Sequence, residues 1–426
     1  MGEMKDSGIT WVGQIPQNWK VMPNKYVMYK KKDICPQYKG EDILSLTMDG
    51  VIVRDLEAGG KMPASFDGYQ IIYPNNLLMC LFDYDVTPRC IGLIKNEGLT
   101  SPAYTQFVMK NGNNPKYYFY YYLMIDNTKE LLHLAKNLRH SFTEDQLGAI
   151  NAPVPPIDEQ EKIANFLDEQ CIEVDELAKD IQAQIETLEA YKKSIITKAV
   201  TKGLKPDVDM KDSKIEWIGK IPKDWTLTRL KYELDEPMKY GASESGVDYA
   251  DDLPRYIRIT DITSDNQLKD EGKLSLTEEQ AKGYILSKET VLFARSGGTV
   301  GKTFLYKPEY GRAAFAGYLI SGVANPNKML SKWLYYFTLS NAYWDWANRI
   351  FTQATIQNIG ADKYSSLPLV ITSISEQQEI IEYLDSKCTE IDGAMAEKRK
   401  QLEVLEEYKK SIVYEYVTGK KEVPAQ

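Results

Sequence analysis

Residues 296–303, SGGTVGKT, are the part of this chain that most resembles a phosphate-binding loop. The pattern G-x-x-x-x-G-K-[ST] cradles nucleotide phosphates with backbone N–H groups and a lysine, and here only its first glycine is missing, replaced by Ser296. The motif also needs a following helix, whereas the next residues, FLYKPEYG, predict a strand and then a turn. We therefore do not expect nucleotide hydrolysis.

Other catalytic patterns are weaker. PDVDMKDSK at residues 206–214 has the letters of a nuclease PD…D-x-K site, but Asp207 and Asp209 stand close together in a predicted linker without a strand. The two histidines, His133 and His140, form no H-E-x-x-H zinc motif, and the five cysteines form no C-x-x-C pair. An N-P-P-Y/F-like methyltransferase turn is also missing. The sequence predicts no catalytic residues, no metal site and no cofactor bound by this chain.

Basic residues in two glycine-containing loops predict contact with DNA instead. Residues 294–303 (ARSGGTVGKT) and the comparable residues 83–92 (DYDVTPRCIG) each follow an apolar, strand-like run. Glycine lets the backbone approach a phosphate, and arginine or lysine can reach phosphate or guanine O6 and N7. The alternative is a tight turn with ordinary solvated basic residues. The candidate DNA-binding residues are Thr87, Arg89, Arg295, Ser296, Thr299 and Lys302.

The elements that must position these loops occur twice in the chain. WVGQIPQNWKVMPNKY at residues 11–26 corresponds to WIGKIPKDWTLTRLKY at 217–232, and residues 157–202 match residues 374–419 at 20 of 46 positions without a gap. Between these blocks the two copies diverge, so two variable domains alternate with two constant segments. We interpret the tryptophan motif as a hydrophobic clamp that ties the start of each domain to its neighbour, rather than as a docking motif.

Each constant segment predicts a long helix that follows an extended, proline-containing stretch. Apolar residues recur every seven positions, with secondary positions between them, which predicts a narrow coiled-coil seam. The main seam positions are Leu167, Val174, Ile181, Leu188 and Ile195 in one copy, and Leu384, Ile391, Lys398, Leu405 and Ile412 in the other. About 40 residues at 1.5 Å each give a helix of roughly 60 Å. We expect the seams to pair antiparallel, with the variable domains at opposite ends.

The predicted fold class is α+β, with two globular domains separated by two long helices that form an antiparallel coiled coil, in a pseudo-twofold internal repeat. The boundaries are 1–152 for the first variable domain, 153–203 for the first constant helix, 204–367 for a linker and the second variable domain, and 368–426 for the second constant helix and the C-terminal tail.

The net charge of −9 lies in the constant segments, because residues 157–203 carry −5 and residues 374–426 carry −4. Acidic helices repel phosphate, whereas charge-balanced variable domains can place positive residues on one face. No apolar run reaches the roughly 18 residues of a membrane span, the N-terminus has no apolar leader, and the cysteines suggest no disulfide framework. We expect a cytoplasmic protein without membrane contact.

The two W-[VI]-G-[QK]-I-P-x-x-W motifs, the I-[DS]-E-Q start of each helix and [AE]YKKSI[IV] near each helix end resemble the specificity (S) subunit of type I restriction-modification systems, over essentially the full chain. The resemblance implies a non-enzymatic subunit in host defence, whose variable domains are target recognition domains, each reading one half of a bipartite double-stranded DNA site. It also implies that the helices set the spacing and bind two methyltransferase (M) subunits.

The same resemblance implies that S-adenosylmethionine belongs to the M subunits, and that ATP and Mg²⁺ belong to restriction (R) subunits if these join. One departure is that the first helix start is rich in proline, with Pro153, Pro155 and Pro156, whereas the second has only Pro368. The competing function is a non-enzymatic, two-headed coiled-coil scaffold for protein or glycan ligands.

A Tyr-Lys-Lys run is repeated in both helices, which predicts one partner-binding surface offered twice. The alternative is that the tyrosines finish the seam while the lysines balance the helix dipole. The candidate partner-binding residues are Tyr191, Lys192, Lys193, Tyr408, Lys409 and Lys410.

Overall fold

The computed structural model describes residues 3–58, 63–135, 140–263, 267–351 and 358–424. They belong to two compact units: Met1–Gln182 with Lys400–Gln426, and Ala183–Arg399. Each unit therefore combines one variable domain with part of both long helices. The boundaries predicted from the sequence instead treat each variable domain and each long helix as a separate, consecutive segment.

The first unit is built from short strands and from helices that include the start of the first long helix. Its strands are β1 (Met4–Asp6), β2 (Gln14–Pro16), β3 (Lys20–Pro23), β4 (Met28–Lys31), β5 (Asp33–Ile34), β6 (Leu44–Thr47), β7 (Gly50–Val53), β8 (Gln70–Ile72), β9 (Leu77–Met79), β10 (Ile91–Leu93), β11 (Gly98–Thr100), β12 (Thr105–Met109) and β13 (Asn151–Val154). Its helices are α1 (Asn24–Val27), α2 (Pro115–Thr128), α3 (Glu144–Ala149) and the first part of α4 (Ile157–Lys202).

The second unit repeats this plan with elements of different length. Its strands are β14 (Met210–Asp212), β15 (Lys220–Pro222), β16 (Thr226–Arg229), β17 (Lys239–Tyr240), β18 (Val247–Asp248), β19 (Arg255–Ile257), β20 (Leu274–Ser275), β21 (Ile285–Leu286), β22 (Thr290–Ala294), β23 (Thr303–Tyr306), β24 (Ala313–Phe315), β25 (Leu319–Gly322) and β26 (Pro368–Ile371). Its helices are α5 (Glu278–Ala281), α6 (Ser331–Leu339), α7 (Asn341–Phe351), α8 (Ala361–Ser365) and most of α9 (Ile374–Val417), whose last residues belong to the first unit.

Each variable domain contains a four-stranded antiparallel sheet with the same connectivity. The strand order is β10-β9-β12-β4 in the first unit and β23-β22-β25-β17 in the second. A further sheet lies beside each of them, with the order β11-β8-β5 in one unit and β18-β20-β19-β24-β21 in the other. The α+β class and the equivalence of the two variable domains are therefore confirmed, although their sequences diverge.

The aromatic stretch predicted to be helical is α2. Asn114 caps this helix, because its side chain accepts hydrogen bonds from Lys116 N and Tyr117 N, and Pro115 occupies its first turn. We expected half of the rings in this stretch to be buried, but α2 lies between the sheet and α4, so all five tyrosines are buried. They are Tyr117, Tyr118, Tyr120, Tyr121 and Tyr122.

The two long helices begin directly after extended strands, as the prolines predicted. β13 pairs with β3 before α4, and β26 pairs with β16 before α9, in both cases antiparallel. Both helices end at a glycine in the left-handed region, Gly203 with φ 75° and Gly419 with φ 68°. The predicted seam is largely present. Its buried main positions are Leu167, Val174, Ile181, Leu384, Ile391 and Ile412, and its half-buried ones are Leu188, Ile195, Lys398 and Leu405.

The long helices pair antiparallel inside each unit. In the first unit the Asp175 carboxylate lies 2.6 Å from Lys409 Nζ, and the rings of Phe166 and Tyr416 have centroids 4.5 Å apart. In the second unit an equivalent ion pair joins Lys192 to Asp392 at 2.7 Å. Residue numbers rise along one helix as they fall along the other, which confirms the predicted direction of pairing.

Candidate nucleic-acid interface

One edge of the four-stranded sheet in the second unit gathers residues from four strands. β17 ends at Tyr240, β22 is followed by Arg295, β25 is preceded by Tyr318, and β23 is preceded by Lys302. The antiparallel register places Tyr240 opposite Ile320 and Ala294 opposite Leu319, so these strand ends lie at the same edge. We call Tyr240, Arg295, Lys302 and Tyr318 the second sheet edge.

Arg295 is held firmly at this edge. Its backbone N–H donates to Tyr318 O at 3.0 Å, and its carbonyl accepts from Ile359 N at 2.9 Å. Its guanidinium carbon lies 4.8 Å from the centroid of the Tyr240 ring, and its Nε is buried without a hydrogen-bond partner. Packing over an aromatic ring restrains a guanidinium, so the movement of this side chain is limited before any ligand arrives.

The loop between β22 and β23 contains the other predicted residues of this domain. Ser296 forms a bridge with Asn358, Thr299 ends a single 3-10 turn, and Lys302 is exposed. Lys302 closes the loop, because its N–H donates to Thr299 O and its carbonyl accepts from Ala294 N at 2.8 Å. The chain continues as strand β23 and not as a helix, so the requirement for a phosphate-binding loop is not met.

The same edge of the first unit presents different side chains. Cys80 N donates to Cys90 O as Ala294 N donates to Lys302 O, so Cys80 corresponds to Ala294 of the second unit. Leu81 takes the place of Arg295, because its carbonyl accepts from Phe142 N just as that of Arg295 accepts from Ile359 N. The two sheets are thus alike in backbone and unlike in the groups they offer to a ligand.

Thr87 and Arg89 lie in the loop between β9 and β10. Hydrogen bonds from charged residues at the end of α2 and just after it hold this loop in place. Lys129 Nζ donates to Thr87 O at 2.8 Å and to Asp126 Oδ1 at 2.6 Å. The other oxygen of Asp126 accepts the N–H of Cys90 at 2.8 Å. Arg89 is half-exposed above these contacts. Asp126 and Lys129 were not predicted as site residues, and their signal in the sequence is a pair of charged residues just after the apolar run YYFYYYLMI.

The repeated I-[DS]-E-Q motif has a structural explanation in its glutamine. Gln160 Nε2 donates to Asn113 Oδ1 and Pro155 O at 3.0 and 2.9 Å, and its Oε1 accepts from Asn114 N at 2.8 Å. Gln377 makes the matching set in the second unit with Lys328 O, Thr372 O and Leu330 N. Both glutamines are fully buried. They join the start of each long helix to the loop that precedes the aromatic helix.

A second repeated contact lies two turns further along each long helix. Asp168 pairs with Lys116 and accepts from Tyr120 Oη at 2.8 Å. In the second unit Asp385 makes the equivalent pair with Lys332 and accepts from Tyr336 Oη at 2.6 Å. Burial is the main cause that raises the pKa of Tyr120 and of Tyr336, and the nearby aspartate adds to it. Both phenols therefore stay protonated and donate to the aspartate.

The repeated tryptophan motifs clamp the ends of the long helices, as we interpreted them. In the first unit Trp19 is fully buried in the core that contains Val417, and Lys420 Nζ donates to Val12 O. In the second unit the indole N–H of Trp225 donates to Glu376 Oε2 at 2.9 Å, and Lys202 Nζ donates to Ile218 O. Each motif thus contacts the last turn of one long helix or the residues just after it.

The candidate partner-binding residues divide into two groups. Tyr191 and Tyr408 are 55% and 48% exposed, so they do not finish the seam. Lys192 and Lys409 form the ion pairs between the helices described above, and Lys410 pairs with glutamates of its own helix. Lys193 is half-buried. The two tyrosines therefore stand out as solvent-facing aromatic groups at equivalent positions of the repeat.

The nuclease-like stretch does not form a metal site. Our expectation that it contains no strand was wrong, because Met210–Asp212 is β14 and pairs with β15 in a two-stranded hairpin. Asp212 within it binds Lys214. Across the described ranges no group of three or more His, Cys, Asp or Glu side chains is arranged to hold a metal ion. In the same part of the chain, no helix combines the length and apolar character needed to cross a membrane.

A family model described as the type I restriction modification DNA specificity domain matches residues 91–187 and 208–404. The type I restriction enzyme MjaVIII specificity subunit of Methanocaldococcus jannaschii is 24% identical over 277 residues, which are 64% of this chain and 62% of that protein. The EcoBI specificity subunit of Escherichia coli is 32% identical over 116 residues, 26% of this chain and 24% of that protein. The match thus spans less than two thirds of each relative.

A solved structure has the same fold over nearly the whole chain. That structure concerns the structural basis underlying complex assembly and conformational transition of the type I R-M system. The TM-score is 0.69 at 14% identity, and the match covers 95% of this chain and 98% of the other.

Proposed function

Because this chain belongs to the type I restriction modification DNA specificity family, we propose that it is the DNA-recognition subunit of a type I restriction-modification complex. Each variable domain would read one half of a bipartite double-stranded target. The chain itself would carry out no chemical step and would act in the cytoplasm, where the DNA is. Its relatives MjaVIII and EcoBI carry the name specificity subunit.

The observation that carries this proposal is one scaffold presented twice with different contact groups. The repeated contacts of Gln160 and Gln377 attach the loop before each aromatic helix to a long helix in the same way. The sheet edges nevertheless differ, with Arg295 in one unit where Leu81 stands in the other. A protein that reads two unlike half-sites needs constant positioning and variable side chains, because direct readout depends on a few groups at base edges.

We also propose that the long helices bind two methyltransferase subunits. Tyr191 and Tyr408 support this, because they are exposed aromatic residues at equivalent positions, and exposed tyrosines are frequent anchors of protein interfaces. Lys192 and Lys409 would position the helices rather than contact the partner directly. S-adenosylmethionine would be bound by these partners, and ATP with Mg²⁺ by restriction subunits if they join.

The spacing between the half-sites would be set by the same helices. α4 contains 46 residues and α9 contains 44, each as one uninterrupted helix. At 1.5 Å per residue such helices are about 65 to 70 Å long and resist changes of length. The scaffold for protein or glycan ligands is not favoured, because nothing in the family description points to such ligands.

The test is selection from a pool of random duplex DNA with the full chain and a co-purified methyltransferase. We expect enrichment of one bipartite sequence with a fixed number of unspecified base pairs between its halves. The matched control is the same protein with Arg89 and Lys302 both changed to alanine, which should enrich the sequence less. A contiguous motif, or no enrichment above the input pool, would contradict the proposal.

A further inference from the structure

We infer that Arg295 reads a guanine in the half-site of the second variable domain, and that Tyr240 is the positioning residue that makes this possible. The inference rests on the proposed function and assigns one base contact within it. It is carried by the electrostatic state of Arg295, by the way its side chain is fixed, and by the residues beside it.

Three other arginines of the second unit pair with carboxylates, whereas Arg295 does not in the described part of the chain. Arg258 pairs with Asp261 at 2.6 Å, Arg312 pairs with Glu278, and Arg255 lies 3.9 Å from Asp270. Among the described residues, Arg295 has no acidic group within ion-pair distance. A half-exposed guanidinium without a counter-charge attracts an electronegative ligand, and neutralised arginines do so much less.

The side chain of Arg295 also has its hydrogen-bonding groups arranged for a planar ligand. Its Nε is buried, so the terminal amino groups are the donors that a ligand can reach. Tyr240 packs against the guanidinium from one side, and its own hydroxyl accepts the N–H of Ala361 at 3.0 Å. The O6 and N7 atoms of guanine form a coplanar pair of acceptors, which a fixed guanidinium fork matches with little loss of side-chain entropy.

The surroundings favour a base edge over a phosphate as the ligand. Tyr318, whose carbonyl accepts the backbone N–H of Arg295, is 68% exposed, and an exposed aromatic ring can stack on a base. Lys302 is exposed just before the neighbouring strand and has the reach for the phosphate backbone. In the first unit Leu81 takes the place of Arg295 and is buried, so this guanine contact belongs to one half-site only.

The experiment compares the full-length chain with the variants Arg295→Lys, Tyr240→Leu and Tyr240→Phe on the enriched sequence and its single-base variants. Wild type should require a guanine at one position of one half-site. Arg295→Lys keeps the charge and loses the fork, so discrimination at that position should fall by about 5- to 150-fold while the other half-site is read unchanged.

Two substitutions of Tyr240 test its positioning role. Tyr240→Phe removes only the hydroxyl, whereas Tyr240→Leu removes the aromatic ring as well. Tyr240→Phe keeps the stacked ring and should retain the guanine preference. Tyr240→Leu should lose much of that preference with unchanged affinity for the other half-site, a difference that a general loss of folding does not produce. Lys302→Ala is the matched control, and it should weaken binding to all sequences equally and lower the salt slope by about one unit.

A test on the DNA side avoids substitutions in the protein. 7-Deazaguanine at the assigned position lacks the N7 acceptor, so it should weaken binding of wild type and have little effect on Arg295→Lys. If Arg295→Lys keeps the base preference and only binds all sequences more weakly, Arg295 contacts a phosphate and the inference is wrong. If wild type itself enriches no sequence, the proposed function fails and the inference fails with it.

Discussion

Replacing Gln160 by alanine should destabilise the first unit strongly, although the residue is polar and far from any predicted contact with DNA. Gln160 is fully buried and makes three hydrogen bonds, two as donor and one as acceptor. It connects the first turn of α4 to the loop that leads into α2. Alanine supports a helix equally well, so the expected effect comes from the lost partners and not from helix propensity.

The magnitude follows from the groups that remain after the substitution. Pro155 and Asn113 are buried, so the Pro155 carbonyl and the Asn113 side chain lose a partner that water cannot easily replace. The N–H of Asn114 is in a half-buried residue and can be hydrated in part. An unsatisfied buried polar group costs about 1 to 3 kcal/mol, so we expect a loss of about 3 kcal/mol in the free energy of unfolding.

The measurement is denaturant unfolding of the full chain, combined with amide hydrogen exchange to locate the effect. Exchange of α2 amides should become roughly a hundredfold faster in Gln160→Ala, and amides of α6 should be unchanged. Gln377→Ala should give the opposite result. Gln170→Ala is the control on the same helix, because Gln170 bonds only the exposed Glu173, and it should change stability by less than about 0.5 kcal/mol. A loss below about 1 kcal/mol for Gln160→Ala, or equal losses for Gln160→Ala and Gln170→Ala, would refute the reasoning.

Tyr408→Ala should weaken methyltransferase binding by roughly tenfold in a titration by calorimetry, whereas Lys179→Ala on an exposed face should not. Lys409→Glu and Asp175→Lys should each reduce stability slightly, and the double variant should restore part of it, with a coupling energy of about 0.2 to 1 kcal/mol because the pair is solvent-accessible. Arg89→Ala should change recognition of one half-site only, measured by selection from randomised DNA. Deleting seven residues from each long helix should shorten the preferred spacer by about three base pairs, since the helices lose roughly 10 Å.

The partner-binding candidates illustrate how far a repeated motif can be read from sequence. The Tyr-Lys-Lys run occurs in both helices, and its repetition indicated a shared role without saying which side chain has it. The structure separates them, because Lys192 and Lys409 reach aspartates of the opposite helix while Tyr191 and Tyr408 remain exposed. A helix at 3.6 residues per turn places adjacent residues about 100° apart, so neighbours in sequence face different surroundings.

The sequence by itself determined the internal repeat, the two long helices and the strands that precede them, because these depend on local periodicity and on the backbone limits of proline. It also indicated the two loops that contain Arg89 and Arg295. Only the tertiary structure decided which residues meet there. Tyr240 and Arg295 are far apart in sequence, and strand register brings them together, as it brings Tyr318 beside them. Register is set by the packing of whole sheets against the helices, so no local pattern records it, and contacts such as that of Lys129 with Thr87 depend on the same long-range packing.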